Sequence, residues 1–256
     1  MNNTLQNGFK VLEYLAQSGN SCSVKEIAEH LQLPNSHACR LLKTLQATGY
    51  VEQIAGSRQY QISLQILCLS NARLKNLRLR QVGQMILRQL CQKLQLECVL
   101  SAWSQTKSII IATEYPDNNL LYDSNLVIGN THQTVISACG KVCAAFASPT
   151  DLEQALAKVN WLDGSQLACH DEKSFRQELD IIRQNGFARM LNENTPDVAS
   201  AAAPIRDANG NLAGAVGVVL PRGEQNWTPL MWDNCSRGVM EAAAAISQVL
   251  GFIPSI

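Results

Sequence analysis

Net charge, long apolar runs and paired cysteine motifs are all missing from this chain of 256 residues. Lys and Arg total 21 and so do Asp and Glu, so the overall balance marks no partner of one charge. The longest apolar runs, such as Leu212 to Leu220, fall well short of the roughly 20 residues that a membrane-spanning helix needs. Met1-Asn2-Asn3-Thr4 is polar, unlike the basic-then-apolar opening of a secretory leader. The expectation is a soluble cytoplasmic protein with no membrane partner. Nine cysteines form an odd set with no Cys-x-x-Cys spacing, which supports neither a disulfide framework nor the usual zinc pattern. Reduced thiols, no metal and no cofactor are expected. A Gly-x-Ser-x-Gly elbow for acyl transfer is absent as well. Gly140-Lys141 is no phosphate loop, because that motif needs Gly where Val135 stands and Ser or Thr where Val142 stands.

The charge that cancels overall is unevenly placed. Residues 1–80 hold nine basic and four acidic residues, net +5, which leaves −5 on the remainder. A basic front and an acidic back suit a DNA-reading domain joined to one that stays off DNA. The basic segment carries the pattern for it. Ala38, Leu41, Leu42 and Leu45 fall at i, i+3, i+4 and i+7, so the segment from Leu33 reads as a helix with one apolar stripe. Asn35, Ser36, His37, Arg40 and Lys43 crowd the polar face of its first turns, side chains that reach base edges or phosphates when a helix N-terminus enters a major groove. Upstream, Ser23-Val24-Lys25-Glu26 fits a capping box, and Val24, Ile27, Ala28 and Leu31 form a short stripe before Gln32-Leu33-Pro34 turns the chain. Downstream, Thr48-Gly49-Tyr50 closes the helix, and Val51 to Ile54 with Gln59 to Ile62 read as a hairpin tipped by Arg58. The unit reads as a winged helix-turn-helix, with Lys25, Asn35, Ser36, His37, Arg40, Lys43 and Arg58 as candidate DNA contacts. Arg40 can grip a phosphate or read a base.

A first helix, capped at Thr4 or Asn7, has Leu5, Phe9, Leu12, Leu15 and Ala16 on one face. After the wing, Leu64 to Leu79 is one helical pattern without Gly or Pro, a stiff connector. Val82 to Leu94 continues as an amphipathic helix, and Cys98 to Trp103 and Ser108 to Thr113 read as strands. Leu120 to Leu126 reads as a third strand, Thr134 to Phe146 as a helix of small residues, and Ser148-Pro149 as the start of a helix to Lys158. A helix through Phe175, Leu179 and Ile182 ends at Asn185-Gly186. Strands Val198 to Ile205 and Leu212 to Leu220 flank the turn Asp207 to Asn211, and Leu230 to Leu250 is a final helix. The back of the chain is thus an α+β domain with an antiparallel sheet.

Three matches in order resemble the IclR family of bacterial transcriptional regulators. They are Leu33-Pro34-Asn35-Ser36 through Arg40, Leu45 and Gly49-Tyr50-Val51; Ser137-Ala138-Cys139-Gly140-Lys141; and Gly186-Phe187-Ala188, Glu193 and Ala201-Ala202-Ala203-Pro204. The resemblance implies a winged helix-turn-helix over 1–64, a linker helix over 65–80 and a GAF-like effector-binding domain over 81–256. It also implies a homodimer or homotetramer that reads a double-stranded, pseudo-palindromic operator and senses a small-molecule effector, usually an organic acid. Carried over by motif, the effector pocket would be lined by Leu121, Ser124, His132, Ala138, Cys139, Met190, Val198, Ser200 and Gly217. Backbone amides from Ala138 to Gly140 would receive a carboxylate. The chain departs from the family pattern at Ser63 and Asp197, where Gly is usual, and at Ser200, where Cys is customary; Asp197 and Ser200 change the polarity of the pocket. The alternative is an enzyme or a thiol or metal sensor using Cys139 and His132, with Cys143 one helical turn on and Cys169-His170 further along.

Overall fold

The structure is a computed structural model that describes residues 2–117, 126–194, 196, 198–220 and 228–253. Contacts divide the chain into two compact units, Met1–Lys75 and Asn76–Ile256.

The first unit comprises α1 (Asn3–Ser18), β1 (Cys22–Ser23), α2 (Val24–His30), α3 (Asn35–Ala47), β2 (Val51–Gln53), β3 (Gln59–Ile62) and α4 (Gln65–Lys75). Asn2, ahead of the expected caps, accepts from the Thr4 and Leu5 amides to start α1. Burial on α1 begins only at Val11 and Leu15, while Leu5 and Phe9 remain 61% and 59% exposed; its contacts are to α3 and β3. The expected capping box is present, with Ser23 Oγ accepting from Glu26 N and Glu26 accepting from Ser23 N. Ala38, Leu41 and Leu42 are the buried stripe of α3. They pack with Val11, Ile27 and Val51 into one core. Gly49 (φ +82) supplies the left-handed turn into β2. The wing is a three-stranded sheet in the order β1-β3-β2, so Cys22–Ser23 adds a strand the sequence pattern did not show. Ser63, at the family's Gly position, is buried and donates to the Gly49 carbonyl, closing the base of the wing.

The expected helix from Leu64 to Leu79 is two helices. The chain leaves α4 after Lys75, Leu77 is extended (φ −87, ψ 104), and α5 (Arg78–Leu94) begins. The break falls where burial begins: α4 has no buried residue, whereas Leu79, Gly83, Leu87 and Leu90 give α5 a buried stripe.

In the second unit α5 leads to β4 (Glu97–Ser104), β5 (Lys107–Glu114), β6 (Thr131–His132), α6 (Ala138–Phe146), α7 (Pro149–Leu156), α8 (Glu172–Asn185), β7 (Ala188–Leu191), β8 (Ala199–Arg206), β9 (Leu212–Leu220) and α9 (Pro229–Val249). Six strands form one antiparallel sheet in the order β6-β5-β4-β9-β8-β7. The short strands β6 and β7 were not anticipated. The strand expected over Leu120 to Leu126 lies, apart from Leu126, outside the described residues. Asp207 Oδ1 accepts from the amides of Asn209 and Asn211, and Gly210 is left-handed (φ +80), which sets the β8–β9 hairpin.

Alternation along the strands sends Val99, Ala202, Ala215 and Gly217 toward α6, and Leu100 toward α5 and α9. A Cβ on Gly217 would lie 2.7 Å from Cys139 Sγ, so a glycine is what lets α6 settle on the sheet. Helix α6 starts at Ala138 and not at Thr134, because Ser137 is its cap: the Oγ accepts from Gly140 N at 3.0 Å and donates to the Gln133 carbonyl at 2.6 Å. A Cβ at Gly140 would stand 2.2 Å from that carbonyl.

Next to Gly140, Lys141 is 1% exposed, and its ammonium meets Glu178 Oε1 and Glu193 Oε2, each at 2.5 Å. Lys141→Met should cost about 3 to 5 kcal/mol of stability in urea titrations, because removing one member of a buried ion cluster leaves charge unpaired. Glu193→Gln, which leaves the Lys141–Glu178 pair, should cost less. Equal stability of Lys141→Met and the parent protein would show that the cluster carries no net stabilisation.

Candidate functional site

Asn35 opens α3 directly after Pro34, which provides no side-chain cap. The His37 and Ala38 amides donate to the Pro34 carbonyl, which leaves those of Asn35 and Ser36 at the helix start beside the exposed side chains of Asn35, Ser36, Arg40 and Lys43. Lys25 is exposed and only loosely paired with Glu29 at 3.7 Å, and Arg58 is exposed at the wing tip. His37 differs from the rest of its face. It is half-buried and its Nε2 is sealed from water without a hydrogen-bond partner, so that atom does not face outward with the others.

The residues carried over as an effector pocket fall into separate places. Leu121 and Ser124 lie outside the described residues. Ala138, Cys139 and Gly140 form the first turn of α6; Gly217 lies beneath Cys139 on β9. Met190 and Ser200 are register partners on β7 and β8, and Val198 is half-buried just before β8. His132 lies elsewhere, on edge strand β6 opposite Ser108. The strand order puts β6 four spacings from β8 and five from β7, about 19 and 24 Å across the sheet at roughly 4.8 Å each. His132 therefore does not join Ser200 and Met190 around one small molecule. Of the expected amides, Gly140 N is taken by Ser137 Oγ, which leaves those of Ala138 and Cys139.

Sequence reasoning missed Asn192. It has φ +58, its N donates to the Val198 carbonyl at 2.8 Å, and its Oδ1 is buried without a partner beside the Val198 and Ser200 segment. The only signal was its residue type, since Asn tolerates the left-handed region. Also missed was a cavity of about 170 Å³ around His132, whose walls include Thr106, Lys107, Thr131, Lys158 and Asp163.

The thiols and the imidazole are neutral for the same reason. Burial pushes the Cys139 thiol far up, with Cys143 adding to the effect, and raises Cys143 to about 12. Burial lowers His132 to about 4. A proton would have to move from a very weak acid to a very weak base, so Cys139 and His132 do not form a thiolate–imidazolium pair. The buried hydroxyls of Ser101 and Ser108, 2.9 Å apart, complete the floor under α6. Among the described residues no cluster of His, Cys, Asp and Glu fits a metal ion, and no helix is long and apolar enough to cross a membrane.

A family model described as the bacterial transcriptional regulator IclR C-terminal region matches residues 71–248, and one for the IclR helix-turn-helix domain matches residues 4–55. The chain belongs to the IclR family of transcriptional regulators. It is a DNA-binding regulator with a C-terminal effector domain, and not an enzyme. A glycerol operon regulatory protein of Streptomyces griseus is 29% identical over 249 residues, covering 97% of this chain and 96% of that protein. A p-hydroxybenzoate hydroxylase transcriptional activator of Acinetobacter baylyi is 24% identical, covering 80% and 76%. Among solved structures, an IclR-type regulator from Silicibacter matches at a TM-score of 0.83 with 20% identity, covering 98% of each chain. An IclR homologue from Microbacterium hydrocarbonoxydans, complexed with 4-hydroxybenzoate, matches at 0.76 with 20% identity, covering 96% and 98%.

The low pKa of His132 makes a stability prediction. With a folded value near 4 against 6.5 unfolded, the unfolded chain binds the proton first. Stability is then complete above pH 6.5 and declines as pH falls toward 4, by at most about 3 kcal/mol. Urea titrations should show a smaller decline across that window for His132→Gln. Parallel pH profiles would show that the imidazole is charged in the folded chain.

Proposed function

We propose that this regulator reads a pseudo-palindromic operator as a homodimer or homotetramer in the cytoplasm, and that a small organic acid bound to its second unit changes its affinity for DNA. Residues 1–64 act as the reading head, 65–80 as the connector and 81–256 as the sensor. The observation that carries the DNA half is the outward face of α3, where Asn35, Ser36, Arg40 and Lys43 are exposed beside a free helix N-terminus. One recognition helix per chain buries modest area, so affinity needs a second copy. Leu5, Phe9, Leu64, Leu67 and Leu69, each 55% exposed or more, provide apolar surface for it.

The sensor half rests on the group at the start of α6. The Ala138 and Cys139 amides, Met190, Val198, Ser200 and the unpartnered Asn192 Oδ1 combine apolar walls with a few polar atoms, the mixture that encloses and orients a small ligand. The relative named for p-hydroxybenzoate hydroxylase and the homologue holding 4-hydroxybenzoate support an organic acid as the class. A ligand that regulates must prefer one DNA-binding state, since equal affinity for both shifts nothing.

Arg40→Ala should weaken operator binding by about 1 to 3 kcal/mol and relax specificity at one base position if the guanidinium reads a guanine edge. If it grips phosphate, the loss should be uniform across sequences and the salt slope should fall by about 1. Unchanged affinity in both measurements would remove α3 from the interface.

For the sensor, full-length protein is screened with organic acids by thermal shift, in parent and Ser200→Leu forms. Acids should stabilise the parent and not the variant, and a stabilising acid should change operator affinity. Equal stabilisation of both forms puts the ligand elsewhere; unchanged operator affinity rejects sensing.

A further inference from the structure

The cavity at the β4–β5 turn has chemistry of its own, and we propose that it is a second binding site, for a small phosphate monoester. It is a half-open recess bordered by the turn itself, by edge strand β6 and by the chain leaving the end of α7. At about 170 Å³ it is smaller than the roughly 300 to 1,000 Å³ of sites for drug-sized ligands, which limits the occupant to a few heavy atoms beyond the phosphate.

Its charge favours an anion. Lys107 and Lys158 line it, and among the described residues neither is in an ion pair. Lys158 Nζ is instead tethered to Thr106 Oγ1 at 3.2 Å, which holds the ammonium at the cavity wall. One carboxylate, Asp163, lines the cavity, and its Oδ1 already accepts from Asn160 Nδ2 at 2.7 Å. Thr106 and Thr131 add hydroxyls, and the His132 ring forms part of the wall with its Nε2 sealed off.

The turn is built at a conformational cost. Gln105 and Thr106 have φ +48 and +68, the left-handed pair of a two-residue hairpin that Asn-Gly normally fills. A β-branched threonine in that region is strained, and Thr106 is only 5% exposed. Such strain is concentrated where a local arrangement serves binding. Two lysines, with no arginine among the lining residues, act as point charges, and a phosphate monoester, with about −1.5 to −2 charge at pH 7, draws more from them than a single carboxylate does. Ser200 pairs with Val219, which pairs with Glu97 at the far end of β4, whereas the cavity lies at the β4–β5 turn beyond Ser104, so this ligand and the organic acid do not compete for one space.

The test is calorimetry on the full-length protein at low and moderate ionic strength, with ethyl phosphate as the minimal monoester, inorganic phosphate, and succinate as the carboxylate control. Ethyl phosphate should bind one per chain and about tenfold or more tighter than succinate. Lys107→Met and Lys158→Met, both at exposed side chains, should each weaken it about tenfold or more. Asp163→Asn should tighten it, and Ser200→Leu should leave it unchanged. Absence of ethyl phosphate binding, equal binding of succinate, or insensitivity to both lysine variants would overturn the proposal. Loss of binding in Ser200→Leu would also overturn it, by assigning the phosphate to the start of α6. The organic-acid reading is judged separately, by acid binding and operator affinity in Ser200→Leu, so either can fail alone.

Discussion

The second unit depends on one buried ammonium. Lys141 projects from α6 and is held by Glu178 on α8 and by Glu193 just after β7, so three elements distant in the chain meet at one charge. Two carboxylates share it. Burial raises the Glu193 carboxyl above its ordinary value even with the ammonium opposing, and the remaining oxygen of Glu178 accepts from the Cys169 thiol at 3.2 Å. An ion taken from water at this depth is tolerable only when its partners are fixed. The fixing continues outward: Ser165 N donates to the Glu193 carbonyl and Ser165 Oγ to that of Asn192, both at 2.6 Å. Asn192 and Glu193 are thereby positioned by the same cluster that holds α6 through Lys141.

What was legible in the sequence was local. The stripe Ala38, Leu41 and Leu42 is buried as its spacing predicts, and the Ser23–Glu26 box forms, because helix periodicity and capping involve residues within a few positions. The β8–β9 hairpin was readable for the same reason, its turn being set by Asp207 and Gly210 themselves. The failures came where a distant partner decides. Leu67 and Leu79 look alike as helix leucines, yet one is 58% exposed and the other buried, and the helix breaks between them. Strands β6 and β7 have two and four residues, and only pairing with β5 and β8 makes them strands.

The candidate sites divide along the same line. The face of α3 was readable because one helix presents all of it, apart from His37, which is drawn inward. The grouping of His132 with Ser200 was not, since strand order is a property of the whole sheet and chain order does not reveal it. Lys107, Lys158 and Thr106 read as a turn and a helix end; only the sheet edge and α7 together make them neighbours. Cys139 and Cys143, one helical turn apart, read first as small core residues and only in the alternative as a thiol or metal pair; their depth against Gly217, Ser101 and Ser108 leaves them as small protonated side chains that let α6 approach the sheet.

Charge also bears on how a bound anion can reach the DNA-reading unit. The residues beyond the first 80 carry a net −5, yet fields of exposed charges are screened over about 8 Å at physiological ionic strength. The sign of the whole unit therefore matters little at a given site, and the groups within contact of the ligand decide. Screening works in the other direction too. One or two charges added by a ligand are felt by groups within about that distance. The coupling proposed above requires elements that have more than one packed arrangement. The chain offers one covalent route: the sheet packs on α5, and α5 continues into α4 across Asn76 and Leu77, where the helix is already interrupted. A break at that point gives the connector two segments in place of one rod.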